Sequence, residues 1–83
     1  MTINEEELDR TVLALLALTL HDESEFGARA WKGHDWSVLD RLHEKGWIGN
    51  PKSKARSVVL TAEAVEESRR LFAEKFELSD TEA

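Results

Sequence analysis

Between Asp35 and Leu60 the sequence reads DWSVLDRLHEKGWIGNPKSKARSVVL. Its first part has the pattern of a short helix, for which Asp35 is a good N-cap. One apolar stripe at helical spacing consists of Val38, Leu39 and Leu42. Gly46 suits the left-handed position just after a helix end, where an apolar residue of the stripe can contact Trp47 in a Schellman motif. The pattern therefore predicts a helix over 36–45 that stops sharply.

The residues after this helix have the pattern of a β-hairpin. Trp47 and Ile48 are predicted to form a short first strand, and 56–60 a returning strand. The residues between them, 49–55, are rich in Gly, Asn, Pro and Ser, which are typical of turns. The predicted hairpin has a basic tip, formed by Lys52, Lys54 and Arg56.

Upstream, a helix is predicted from Glu5 to about Leu20 or His21. Asn4 is a good N-cap, and the acidic residues that follow it favour the positive end of the helix dipole. After Val12 the segment is apolar on nearly every side, and such a helix has to be buried on every side. Two interpretations fit: a core helix covered by its own chain, or a helix in a homodimer interface. The candidate interface residues are Leu13, Leu16 and Leu20.

Two further segments complete the predicted fold. Residues 25–31 are predicted as a helix of two turns or an irregular connection, and Gly27 weakens the helical pattern. Thr61 is predicted to cap a last helix over about 62–76, followed by a frayed tail, 77–83. We therefore expect one α+β domain over 1–83, mostly helical, with three to four helices and a two-stranded hairpin.

Composition excludes several classes of protein. The chain has 83 residues, of which 41% are hydrophobic and 34% charged, a globular balance with room for one modest core. It contains no cysteine, which rules out disulfides, a thiol nucleophile and a zinc finger. The longest apolar run, 12–20, is under half of a membrane span. We expect a cytoplasmic protein that does not enter membranes.

The net charge of −6 is unevenly distributed along the chain. Residues 28–56 carry seven cations and three acids, whereas the segments on either side are strongly acidic. This distribution suggests a locally positive surface on an acidic protein. Mixed, solvated charge on ordinary helices is the alternative interpretation.

The order helix, short helix, helix, hairpin, helix resembles a winged helix-turn-helix domain of bacterial regulators. Residues 38–48 resemble the recognition helix and first wing strand of such domains, which end in a phrase similar to Leu-x-x-Lys-Gly-Leu-Ile. Residues 59–63 are similar to the exit from the wing into the final helix, although Ala64 stands where a Gly is usual. The whole chain also resembles a small uncharacterised bacterial family with a Trp-Lys-Gly-His-Asp-Trp segment, here 31–36.

The winged-helix resemblance implies a DNA-binding, transcription-associated protein. In such domains the third helix enters the major groove of duplex DNA and the wing contacts phosphates. The candidate nucleic-acid-binding residues are Arg29, Lys32, Arg41, Lys52, Lys54 and Arg56. The outward face of the third helix suits this role poorly, because Asp40 and Glu44 would face a polyanion.

A protein–protein interaction module on the same scaffold is the alternative function, since fold does not dictate function. Its candidate partner-binding residues are Trp36, Asp40 and Glu44. The three histidines lack the spacing of metal ligands, and neither a phosphate-binding glycine loop nor a convincing acid pair is present. We therefore expect a non-enzymatic protein with no catalytic residues, no metal and no cofactor.

Overall fold

A computed structural model describes residues 2–77. Over this range the chain forms three α-helices and three strands, and one turn of 3-10 helix, Ala17–Thr19, follows the first helix. The elements in chain order are α1 (Glu5–Leu16), β1 (His21–Ser24), β2 (Gly27–Trp31), α2 (Trp36–Glu44), β3 (Ser57–Thr61) and α3 (Ala62–Phe76). The small, helix-rich α+β architecture expected from the sequence is confirmed. The predicted tail at 78–83 lies outside the described residues.

The predicted helix at 25–31 is wrong, because these residues form strand β2 and part of a hairpin with β1. In β2 every second side chain points inward, with Ala28 and Ala30 buried against β3 and Trp31 exposed. Gly27 has a φ of +141°, and a Cβ there would lie 2.0 Å from a carbonyl oxygen of Leu60. The glycine therefore permits a close approach of two strands, which a helical interpretation cannot explain.

The antiparallel sheet has the order β1-β2-β3. The returning strand of the predicted hairpin is confirmed as β3, but its main partner is β2. Of the predicted first strand only a single bridge remains, between Ile48 and Leu60. It is supported by the Gly49 amide, which donates to the Val59 carbonyl at 2.8 Å.

Helix α2 agrees closely with its local sequence signals. The Asp35 carboxylate accepts hydrogen bonds from the amides of Ser37 and Val38 at 3.1 and 3.3 Å. At the other end Gly46 has a φ of +83°, and the Trp47 amide donates to the carbonyl oxygen of Leu42 at 3.0 Å. This is the 6→1 hydrogen bond of a Schellman motif, so the predicted end of helix α2 is confirmed.

Helices α1 and α3 pack together beside the sheet, and the core lies between them and its inner face. Thr61 caps α3 by accepting the Ala64 amide at 3.1 Å. Within the core, the Ser68 hydroxyl donates to the carbonyl oxygen of Leu13 at 2.7 Å. No helix among residues 2–77 is long and apolar enough to cross a membrane.

The proposed dimer interface on the first helix needs correction. Leu13 is 2% exposed and Leu16 is fully buried, both in the core of their own chain. Leu20 is half-buried and packs against the same core. The interpretation of α1 as a core helix therefore accounts for its apolar character, and Leu13 and Leu16 are not at the surface of this fold.

Candidate nucleic-acid interface

The loop that joins Ile48 to β3, residues 49–56 (the basic loop), carries three exposed cations. Pro51 is fully buried and anchors the loop from inside. The side-chain oxygen of Asn50 accepts the amide of Lys52 at 2.9 Å, which fixes a tight turn. Three cationic side chains extend from this anchored backbone into solvent: Lys52, Lys54 and Arg56.

Lys32 holds the basic loop from the opposite side. Its ammonium group donates to the carbonyl oxygens of Pro51 and Ser53 at 2.8 and 2.7 Å. Its main-chain amide donates to the carbonyl oxygen of Arg56 at 3.2 Å. The same ammonium lies 5.7 Å from the ring centroid of Trp36. Lys32, predicted as a phosphate contact, therefore mainly positions the loop.

Arg41 is turned inward, which the sequence did not suggest. Its guanidinium forms a bidentate contact with the carboxylate of Asp9, at 2.9 Å from Nε and 2.7 Å from Nη2. It also pairs with Glu5 at 3.1 Å. These ion pairs tie α2 to α1 and saturate the guanidinium, so Arg41 is a structural residue rather than an available phosphate contact.

Asp9 is the buried centre of this network. It is 1% exposed, and Lys45 also donates to it at 2.9 Å. Burial alone would raise the pKa of its carboxyl group, but the hydrogen bonds from Arg41 and Lys45 outweigh that effect and hold the pKa below its ordinary value. The same contact raises the pKa of the Arg41 guanidinium. The network therefore stays ionised at neutral pH.

Arg29 lies on the outer face of the sheet, where Ser57 holds it. Its Nε donates to the Ser57 hydroxyl at 2.7 Å, and a second nitrogen lies 3.5 Å from the carbonyl oxygen of the same residue. The guanidinium keeps free donors toward solvent. Arg29 is thus half-buried and available only in part.

The eleven Lys and Arg side chains fall into three groups within residues 2–77. Six form ion pairs with carboxylates: Arg10, Arg41, Lys45, Arg69, Arg70 and Lys75. Two donate to neutral oxygens, namely Arg29 and Lys32. The remaining three have no such side-chain partner in this part of the chain, and all three lie in the basic loop: Lys52, Lys54 and Arg56.

The predicted partner-binding residues lie on α2 beside the basic loop. Trp36 is 55% exposed at the start of the helix. Asp40 and Glu44 line a shallow groove that Lys52 closes on the loop side. The structure therefore brings the two carboxylates together with a loop cation, whereas Trp36 lies one turn away. No group of three or more potential metal ligands occurs among the described residues.

Comparison with known proteins identifies the family. Residues 4–78 match the model of a family described as a domain of unknown function, DUF6429. The chain belongs to this family. It is 50% identical over 76 residues to the "Uncharacterized protein y4hR" of Sinorhizobium fredii. The aligned region covers 92% of this chain and 97% of that protein. No solved structure matches the chain.

For this DUF6429 chain the resemblance to a small uncharacterised bacterial family is confirmed. Two features of the structure were not predicted from the sequence. Asp9 lies four residues before the buried Leu13, so it falls on the buried face of α1, and this spacing was the available signal. Trp31 ends β2 on the outer face of the sheet and is 52% exposed. Its exposure could not be predicted because strand β2 was not predicted.

Proposed function

We propose that this chain is a non-enzymatic binding protein whose basic loop contacts the phosphates of nucleic acid. The observation that carries the proposal is the set of three unpaired cations, Lys52, Lys54 and Arg56, on one loop of an acidic chain. Within residues 2–77 every other Lys and Arg is either paired with a carboxylate or donates to a neutral oxygen of its own chain. Free cations grouped on one protrusion supply the electrostatic part of nucleic-acid binding.

The anchoring of the basic loop supports the same proposal. Pro51 and Lys32 hold its backbone, so the loop backbone needs little ordering when a ligand binds. Less entropy is then lost on binding, which favours affinity. The loop follows α2 and precedes β3 and α3, the position of a wing in a winged-helix domain, and this likeness is part of the proposal.

The mode of contact differs from that of a helix-turn-helix reader. Strand β2, not a helix, precedes α2 in the described chain. The outer side of α2 carries Asp40 and Glu44, and its arginine, Arg41, is held by Asp9. A helix with this surface offers few donors to base edges. The proposed contact is therefore made by the loop to phosphates and does not depend on sequence.

Three phosphate contacts set the expected strength of binding. Each neutralised phosphate contributes about −0.9 to the slope of log K against log salt for duplex DNA and about −0.7 for a single strand. The basic loop thus predicts a slope of about −2 to −3. Binding should be weak at physiological ionic strength and clear at low salt.

The test compares two triple variants of matched charge by fluorescence anisotropy with labelled oligonucleotides across a salt series. The loop variant is Lys52→Gln/Lys54→Gln/Arg56→Gln. The control is Arg10→Gln/Arg69→Gln/Arg70→Gln, which removes three ion-paired cations elsewhere. We expect the loop variant to lose binding and the control to retain it. Equal effects of the two variants, or no binding by the wild type at low salt, would contradict the proposal.

A second candidate function is a protein-interaction module. It is favoured by the groove in which Asp40 and Glu44 face Lys52, next to the exposed Trp36. An exposed tryptophan with polar and charged groups around it matches the aromatic anchor and polar rim of protein interfaces. The expected homodimer stays a prediction, and sedimentation velocity over a range of concentrations tests it.

A further inference from the structure

Two half-exposed tryptophans flank the basic loop. Trp36 is 55% exposed and lies beside Lys32, whose ammonium holds the loop carbonyls of Pro51 and Ser53. Trp31 is 52% exposed and lies opposite Ser57 in the sheet, next to the end of the loop. Phe26 and Phe76 are also exposed, but Trp31 and Trp36 are the exposed aromatic residues that border the basic loop in the described part of the chain.

The indole of Trp31 is held in position. The His21 ring packs against it with centroids 4.9 Å apart and an interplanar angle of 32°. His21 is fixed in turn, because its Nδ1 lies 2.7 Å from the carbonyl oxygen of Thr19. The main-chain amide of Trp31 donates to the Thr19 hydroxyl at 3.0 Å. Trp31 is thus held by contacts with His21 and Thr19, while about half of the residue, 52%, stays exposed to solvent.

The charges around the two tryptophans suit a ligand with one phosphate backbone better than a duplex with two. The free cations form one short series on the loop. A second phosphate row on the α2 side would approach Asp40 and Glu44. The turn between β1 and β2, which contains Glu25, lies at the far end of β2, about 13 Å away at strand rise. Asp22 and Glu23 lie in β1, on the side of β2 away from β3 and the end of the basic loop.

We propose that the ligand of the basic loop is single-stranded nucleic acid, with Trp31 and Trp36 stacking on unpaired bases while the loop cations bind its phosphates. The inference rests on the proposed function and deepens it. In a duplex the bases are stacked on each other, so exposed indoles would find no partner. In a single strand each base offers a face, and stacking on aromatic side chains is a general basis of such binding.

The experiment measures anisotropy of a labelled single strand of about 12 nucleotides, free of self-complementarity, and of the same strand annealed to its complement. We expect the wild-type chain to bind the single strand about tenfold or more tightly, with quenching of tryptophan fluorescence. Trp31→Leu and Trp36→Leu should each weaken single-strand binding about fivefold or more, while the salt slope stays the same. Duplex binding should not change.

Two sets of variants separate stacking from packing. Trp31→Phe and Trp36→Phe keep an aromatic face and should retain most of the single-strand affinity, whereas the leucine variants keep only apolar bulk. Phe26→Leu is the matched control, since Phe26 is an exposed aromatic residue at the opposite, acidic end of β2. Circular dichroism melts verify that each variant is folded.

The outcomes distinguish the two proposals. Equal affinity for single strand and duplex, with leucine variants that bind like the wild type, would overturn the single-strand inference and leave phosphate binding by the basic loop intact. Loss of affinity in the phenylalanine variants as large as in the leucine variants would also overturn it. The absence of binding to either oligonucleotide at low salt would refute both proposals and favour a protein partner.

Discussion

The buried Asp9 carboxylate offers a decisive test of how α1 and α2 are joined. Asp9→Asn keeps the shape of the side chain but removes its charge. Its amide nitrogen would then face the donors of Arg41 and Lys45, both within 2.9 Å of the carboxylate oxygens. A buried polar group without a partner costs about 1–3 kcal/mol. We expect Asp9→Asn to lower the free energy of unfolding by about 2 kcal/mol at neutral pH.

That loss is large for a chain of this size. Typical stabilities of 0.05–0.15 kcal/mol per residue give about 4–12 kcal/mol for 83 residues. A loss of about 2 kcal/mol corresponds to a fall in Tm of roughly 8–16 °C in a domain of this length. Asp9→Leu is the informative partner variant. It places an apolar side chain near Leu13 and Leu71, and the partly exposed Arg41 and Lys45 can turn to water. We expect it to be more stable than Asp9→Asn.

The pH dependence isolates the charge of Asp9. Its pKa in the folded chain lies below the ordinary value of 3.8, so its ion pairs stabilise the fold fully above that value. The stabilisation is lost as the pH falls through the folded pKa. Carboxylates that do not contact this network are common to wild type and variant, so the difference in unfolding free energy between the two chains reports on Asp9 and its ion pairs. Urea denaturation of both chains from pH 7 down to about pH 2 should show the difference shrinking. A difference that is the same at both ends would refute an ionised, paired Asp9.

Three further predictions concern the backbone and the basic loop. Gly27→Ala should destabilise the fold by about 2 kcal/mol or more in thermal melts, because the new Cβ would collide with the backbone of β3. The control is Gly33→Ala, which should have little effect because nothing lies within 4 Å of the added Cβ. Similar melts for both variants would contradict the strand register. Thr61→Ala removes the N-cap of α3 and should lower stability by about 1 kcal/mol, and an unchanged urea midpoint would show that the cap is dispensable. Lys32→Met should release the backbone of the basic loop, so trypsin should cut the loop several times faster at low denaturant. An unchanged cleavage rate would show that Lys32 does not hold the loop.

Local chemistry explains which parts of the fold could be predicted from the sequence. Asp35, Gly46 and Thr61 act within a few residues of themselves through caps and a left-handed turn, and each is found in its predicted role. Strand β2 was missed because its stability comes from β3, some 30 residues away, and alanines carry little strand preference. The 3-10 turn ends α1 earlier than predicted, since the chain must reverse there to start β1.

In the candidate site, too, features set by neighbouring residues could be predicted, whereas features set by tertiary contacts could not. Exposure of the basic loop followed from its turn residues, and Lys52, Lys54 and Arg56 lie at the surface as expected. The role of Arg41 could not be predicted, because Asp9 is 32 residues away and only packing of α1 on α2 brings them together. Charge counts along a sequence treat all cations alike. Tertiary ion pairs decide which of them remain available.

In a chain with 17 acids and 11 cations, unpaired cations are not the expected outcome, since a flexible lysine readily reaches a nearby carboxylate. The basic loop prevents this by geometry. Buried Pro51 and the ammonium of Lys32 fix its backbone, and Asn50 tightens the turn. Lys52 shares a groove with Asp40 and Glu44 but forms no ion pair with either carboxylate. Loosening the loop by Lys32→Met should therefore weaken oligonucleotide binding even though Lys52, Lys54 and Arg56 are all retained. Unchanged affinity in that variant would show that the cations bind without a fixed loop and that its anchoring serves stability alone.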